Sequence, residues 1–176
     1  MKTYVLTISK VFPATHPKAG AATGFKEAFE RATKCPNCHQ KGTDYCKTAC
    51  ATELAKFTKK HTIRANYPLW EKRIAEIQRG EACLSIRQWS GKPYRSKQEE
   101  VSTLTAQDGV GLQKLTFSTD DIETAKPEIE GGTIPQPVTK IAAFDGLTTQ
   151  DWKDWFRGYD LKTPLAVIHF THYRYL

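Results

Sequence analysis

Period-two alternation of apolar and polar side chains recurs along this chain in short runs, broken at uneven intervals by short amphipathic segments, and that irregular mixture most limits the fold. Lys2 to Lys10 places Tyr4, Leu6 and Ile8 on one side, as a half-buried strand requires. In EACLSIRQWS, Ala82, Leu84 and Ile86 alternate with Cys83, Ser85 and Arg87, and Ser90-Gly91 is placed to turn the chain into a partner strand around Tyr94 to Thr105. VGLQKLTFS and the closing PLAVIHFTHYRY are further β-rich runs. A parallel α/β sheet needs helices and strands in regular succession. Their absence predicts an α+β, barrel-like domain.

The helical segments carry their own start and stop signals. Phe25, Phe29 and Ala32 recur at helical spacing with Thr23 available as an N-cap, and TACATELAKFTKK reads as a second short helix. His61 to Asn66 is rich in β-branched residues; Asn66 then caps a helix that Pro68 opens and Gly80 ends, with Trp70, Ile74 and Ile77 on its apolar face. Thr148, followed three residues on by Asp151, resembles a capping box for TQDWKDWFRG. Residues 119–139 are acidic and hold Gly131-Gly132, Pro135 and Pro137, which predicts a long loop, either a lid or a decoration.

At 176 residues the chain suits one domain with insertions. A hydrophobic content of 39% is enough for a core, and no apolar run reaches signal-peptide or membrane-spanning length. The expected location is the cytoplasm, with no membrane partner. Charge is uneven: residues 10–64 hold 11 Lys/Arg against 4 Asp/Glu, and residues 118–154 hold 3 against 8. A basic N-terminal half attracts polyanions such as nucleic acid, although a solvated surface has the same composition.

Cys35-Pro36-Asn37-Cys38 forms a CxxC knuckle, and Cys46 and Cys50 follow within a few residues. Four thiolates this close can surround one tetrahedral zinc. Free or partly oxidised thiols and redox chemistry are the other readings, and His39 could replace one thiolate. Cys83 stands alone in a strand, as a core or wall residue does.

KKHTIR, residues 59–64, ends with a hydroxyl and a guanidinium on one strand face, Thr62 and Arg64, while His61 and Ile63 take the other. That pairing suits a phosphate or a base edge. Lys59 reaches the same face only if the chain bends. His169 and His172 are three apart and point to opposite faces, as satisfied or surface histidines. Trp89 and Tyr94 flank the Ser90-Gly91 turn; core packing is expected of Trp89, whereas Tyr94 and Arg87 are candidates for the cleft.

Taken together, Lys59-x-x-Thr62-Ile63-Arg64, the run Arg79-Gly80-Glu81-Ala82-Cys83-Leu84-Ser85, Asp145-Gly146-Leu147-Thr148 before a helix, and the terminal AVIHFTHYRY resemble the ASCH domains of the PUA-like superfamily. The resemblance implies a PUA-like β-barrel with short flanking helices, residues 1–176 as one domain, a Cys-rich insertion at about 33–55 and an acidic, Pro/Gly-rich one at about 118–140. It implies either an RNA-binding module or a small amidohydrolase that deacetylates acetylcytidine through a lysine, a threonine and an acid. Those positions are Lys59 and Thr62, with Asp145, one methylene shorter, where the family has a glutamate; Arg64, Arg87 and Tyr94 are the substrate-binding residues expected from the strand and turn reading. No cofactor is implied for catalysis; the partner is RNA or a modified pyrimidine nucleoside. A zinc-supported protein-interaction domain is the third expectation.

Overall fold

The computed structural model describes residues 1–33, 58–132 and 136–176. Cys35, Cys38, His39, Cys46, Cys50 and most of the run expected as a second helix lie outside the described residues. So does nearly all of the expected Cys-rich insertion.

The described residues form an α+β fold of seven strands and four α-helices. The first sheet has the order β1-β3-β4, with β1 (Lys2–Thr7) parallel to β3 (Ala82–Trp89) and β4 (Gln98–Leu104) antiparallel to it. The second has the order β2-β7-β5-β6, all antiparallel, built from β2 (His61–Arg64), β5 (Gly111–Phe117), β6 (Pro127–Ile129) and β7 (Leu165–His169). Neither sheet closes on itself, so the expected PUA-like barrel is not formed by the described strands. Closure requires edge strands to exchange backbone hydrogen bonds. Here the ends of β1 and β2 meet through a side chain, because Arg64 Nη2 donates to the Thr7 carbonyl at 2.6 Å.

The helices follow from local signals. Helix α1 (Phe25–Thr33) buries Phe25, Ala28 and Phe29, and the Thr23 hydroxyl accepts from the Phe25 N–H at 3.3 Å. Helix α2 (Tyr67–Gln78) begins at Asn66, whose side chain accepts from Leu69 N–H, and buries Trp70, Ile74 and Ile77, one stripe at helical period. Helix α4 (Thr149–Phe156) starts at Thr148, which accepts from the Asp151 N–H at 3.0 Å. Only that half resembles the expected box, since the Asp151 carboxylate takes the Lys18 ammonium at 2.8 Å.

Two elements depart from expectation. The acidic stretch is partly ordered into β6, which pairs with β5 and buries Ile129, while Ile122 and Ala125 also lie in the core. It then enters helix α3 (Val138–Phe144), which buries Ile141 and Ala142. Tyr94 belongs to the connection rather than to a strand, in the left-handed region at φ 62°. The core lies between the sheets and helices, with Leu6, Ile8, Leu84, Ile86, Leu115 and Val167 packed against Phe29, Ile77, Trp152 and Phe156. Among the described residues, no helix is long and apolar enough to cross a membrane.

Candidate functional site

Lys59 follows α1 in space and enters β2 in sequence. Its N–H donates to the Ala28 carbonyl at 2.9 Å, and the neighbouring Lys60 N–H donates to Phe144 O at 2.8 Å. Lys59 and Asp145 therefore form an isolated antiparallel bridge between the start of β2 and the end of α3. Asp145 caps α3, and Gly146 turns the chain away at φ +81°. That conformation is one that a residue with a Cβ adopts only at a cost.

The backbone bridge places the two side chains in contact. Lys59 Nζ donates to Asp145 Oδ1 at 2.5 Å and to its carbonyl at 2.6 Å, and lies 3.9 Å from the Phe25 ring centroid. Lys59 is 2% exposed and Asp145 3%. Burial pulls the Lys59 amine below the ordinary lysine range, with the Asp145 charge opposing and Arg64 assisting. Burial likewise pushes the Asp145 carboxyl up, against the pull of Lys59 and Arg64. Burial thus opposes both charges while each partner's charge offsets it, so the pair is suited to holding one proton between amine and carboxylate.

Thr62 lies in β2 opposite Ile168 and is 3% exposed. The Lys59 amine donates to Asp145, and its hydrogen bonds among the described residues do not include the Thr62 hydroxyl. Two of the three predicted catalytic groups are thus joined by hydrogen bonds, with the third close in sequence. Arg64 is near enough for its charge to act on both.

From there Arg64 reaches the wall of a cleft of about 620 Å³, lined also by Thr7, Lys10, Trp70, Trp89 and Tyr94. Tyr94 is 90% exposed, and its ring lies 5.3 Å from that of half-buried Trp89. Sequence reasoning assigned Trp89 to the core; the turn after β3 instead leaves it at the cleft. It also missed Lys10, whose ammonium donates to the Ser90 carbonyl at 2.7 Å; a lone lysine in a turn-rich segment carries no such signal. Arg87 is not among the residues lining that cleft. Its Nε donates to Ser85 Oγ at 3.0 Å, and Ser85 donates to Glu100 at 2.6 Å. Arg87 thus braces the β3–β4 pair, beside a bulge between Ile86 and Arg87.

Behind β2, His61 and His169 face each other across the β2–β7 pair, and His61 Nε2 lies 2.7 Å from the Tyr175 hydroxyl. Both histidines are fully buried. Burial holds the His61 imidazole well below its ordinary range, assisted by His169 and the two lysines, and lowers His169 to about 3. Both rings are neutral near pH 7. The His172 ring lies instead on the Gln107 carbonyl at 3.2 Å, at an exposed position.

Among the described residues, no group of three or more His, Cys, Asp or Glu is placed to hold a metal, and Cys83 is buried with its sulfur 3.5 Å from the Thr3 hydroxyl. The fold and site define an α+β protein with a buried lysine–aspartate pair and an aromatic, basic cleft, Arg64 lining the cleft and acting on the pair through its charge. The chain matches no family model, no curated protein and no solved structure.

Proposed function

We propose that this protein is an ASCH-type binding module that takes a pyrimidine base, free as a nucleoside or within single-stranded RNA, into the cleft beside Arg64. The observation that carries this reading is the meeting of two aromatics, half-buried Trp89 and exposed Tyr94, with the cations Arg64 and Lys10 around one concavity of about 620 Å³. Aromatic rings accept a base by stacking at about 1–3 kcal/mol per base, with little sequence preference. A guanidinium held on the Thr7 carbonyl keeps N–H donors for a base edge or phosphate. The basic N-terminal half supplies long-range attraction.

The test is a titration with a short oligocytidylate and with cytidine, followed by tryptophan fluorescence. Tyr94→Ala should weaken binding by about 5- to 150-fold, the range expected when one stacking ring is removed. A parent protein that binds neither ligand would end this reading.

A second reading, deacylation of a modified cytidine, is favoured by the Lys59–Asp145 contact. In it the neutral Lys59 amine takes a proton from water or from the Thr62 hydroxyl, and the resulting oxyanion adds to the acetyl carbonyl. Collapse of the tetrahedral intermediate breaks the C–N bond while the Asp145 acid protonates the leaving amine. With water as nucleophile, acetate and cytidine form directly; through Thr62, cytidine leaves first and one water then hydrolyses the acetyl ester, releasing acetate and restoring the hydroxyl.

A further inference from the structure

Lys60 and Lys140 belong to neither role above. Lys60 is clamped at the head of β2, its N–H on the Phe144 carbonyl and its carbonyl accepting from Phe170 N–H at 2.9 Å. Lys140 and Phe144 are four apart on α3 and so share one helix face. Both ammoniums gather around the same aromatic cluster. Lys60 Nζ lies 4.0 Å from the Phe144 centroid and 4.9 Å from that of Tyr173. Lys140 Nζ lies 5.9 Å from Tyr173 and 5.6 Å from Tyr175.

Among the described residues neither ammonium has a carboxylate within ion-pair distance, whereas Asp145, close by in sequence, is committed to Lys59. The two cations repel: burial and the charge of Lys140 both lower the Lys60 amine. The Tyr173 hydroxyl is buried with no hydrogen-bond partner among the described residues. Fixed backbones thus hold two cations around one ring, neither of them paired with a carboxylate among the described residues. Rings attract cations weakly at an exposed site, by about 0.5–1 kcal/mol, and leave the positive charge available to an anion.

We propose that Lys60 and Lys140 form a phosphate-binding site, separate from the aromatic cleft, that takes a phosphate group either free or on a nucleic acid. One phosphate bridging the two ammoniums removes their repulsion and forms charge-assisted hydrogen bonds to both. Arg64 lies four residue steps along the strand from Lys60, a span of about 13 Å, so the two sites are distinct contacts.

The experiment titrates the full chain with inorganic phosphate, and in parallel with oligouridylate, at ionic strength held constant by sodium chloride. Amide and lysine side-chain NMR signals report occupancy. Saturable shifts at Lys60, Lys140 and Tyr173 are expected, weakened at least tenfold in Lys60→Met/Lys140→Met and retained in Lys60→Arg/Lys140→Arg. Shifts there with inorganic phosphate assign a free phosphate; shifts there with the oligonucleotide alone assign a phosphodiester, and either supports the site. Tyr94→Ala should leave the response intact, which separates this site from the cleft. No saturable shift at these residues with either probe, or undiminished binding by the double methionine variant, would overturn the proposal.

Discussion

Lys59 and Asp145 lie 86 residues apart in the chain, yet the lysine amine sits 2.5 Å from the aspartate carboxylate in the protein interior. A pair so buried is held by mutual dependence rather than by net attraction, because each partner removes much of the cost of burying the other. Asp145→Asn should therefore destabilise the protein by about 3–5 kcal/mol, measured by urea unfolding. Lys59→Met/Asp145→Leu should recover most of that loss, since no unpaired charge then remains.

Catalysis and binding separate at Lys59 and Thr62. If the pair deacetylates acetylcytidine, Lys59→Met and Thr62→Val should abolish acetate release, and Thr62→Val should melt close to the parent because its β-branched shape is kept. Asp145→Glu tests the acid through its reach. Acetate release by the parent, measured at high enzyme concentration, decides the matter, and its absence would leave the binding reading alone.

Arg64 lines the cleft and lies near enough for its charge to act on the pair. Arg64→Ala should weaken oligonucleotide binding and reduce the salt dependence by about one counterion for each phosphate that the guanidinium had neutralised. Lys162→Ala, at an exposed ion pair with Asp120, is the control for diffuse charge. Equal weakening in both variants would remove Arg64 from the site.

The histidines behind β2 give the fold a pH dependence. Their imidazole pKa values are depressed in the folded protein, so the unfolded chain binds protons below about pH 6.5 that the folded chain does not. Stability from this source is complete above that pH and is lost as pH falls toward about 3. Each proton contributes a slope of about 1.4 kcal/mol per pH unit. His169→Leu should flatten the dependence between about pH 6 and 4 by one such slope, read from urea midpoints across pH.

Gly146 shapes the corner that presents Asp145. An added Cβ would meet Lys59 Cβ and Phe25 at 3.5 Å, ordinary contact, so the cost of Gly146→Ala is that of the φ +81° backbone. It should be about 1–2 kcal/mol, and thermal unfolding would show it as a lowered midpoint. An unchanged midpoint would mean that the corner relaxes freely.

Much of the frame was legible because it is written in local periodicity. Leu6 and Ile8, Leu84 and Ile86, and the Trp70-Ile74-Ile77 stripe each report their own element, since burial on one face imposes period two or 3.6 on neighbouring residues. Asn66 and Thr148 announce helix starts for a similarly local reason, a side-chain oxygen meeting an N–H three residues on. β6 and α3 left no such trace. The first has three residues within a stretch whose Pro, Gly and acidic residues read as loop, and the second starts at the end of that stretch and buries two side chains. Lys59, Thr62 and Asp145 were named through a family resemblance, but no local pattern could state which of them touch. Contacts between Lys59 and Asp145, Arg64 and Thr7, or Trp89 and Tyr94 across their turn depend on how separate elements pack. Local sequence determined the elements because their hydrogen bonds and burial faces involve near neighbours; tertiary packing alone decided the pair, the open sheet edges and the cleft, because each depends on where a distant segment comes to rest.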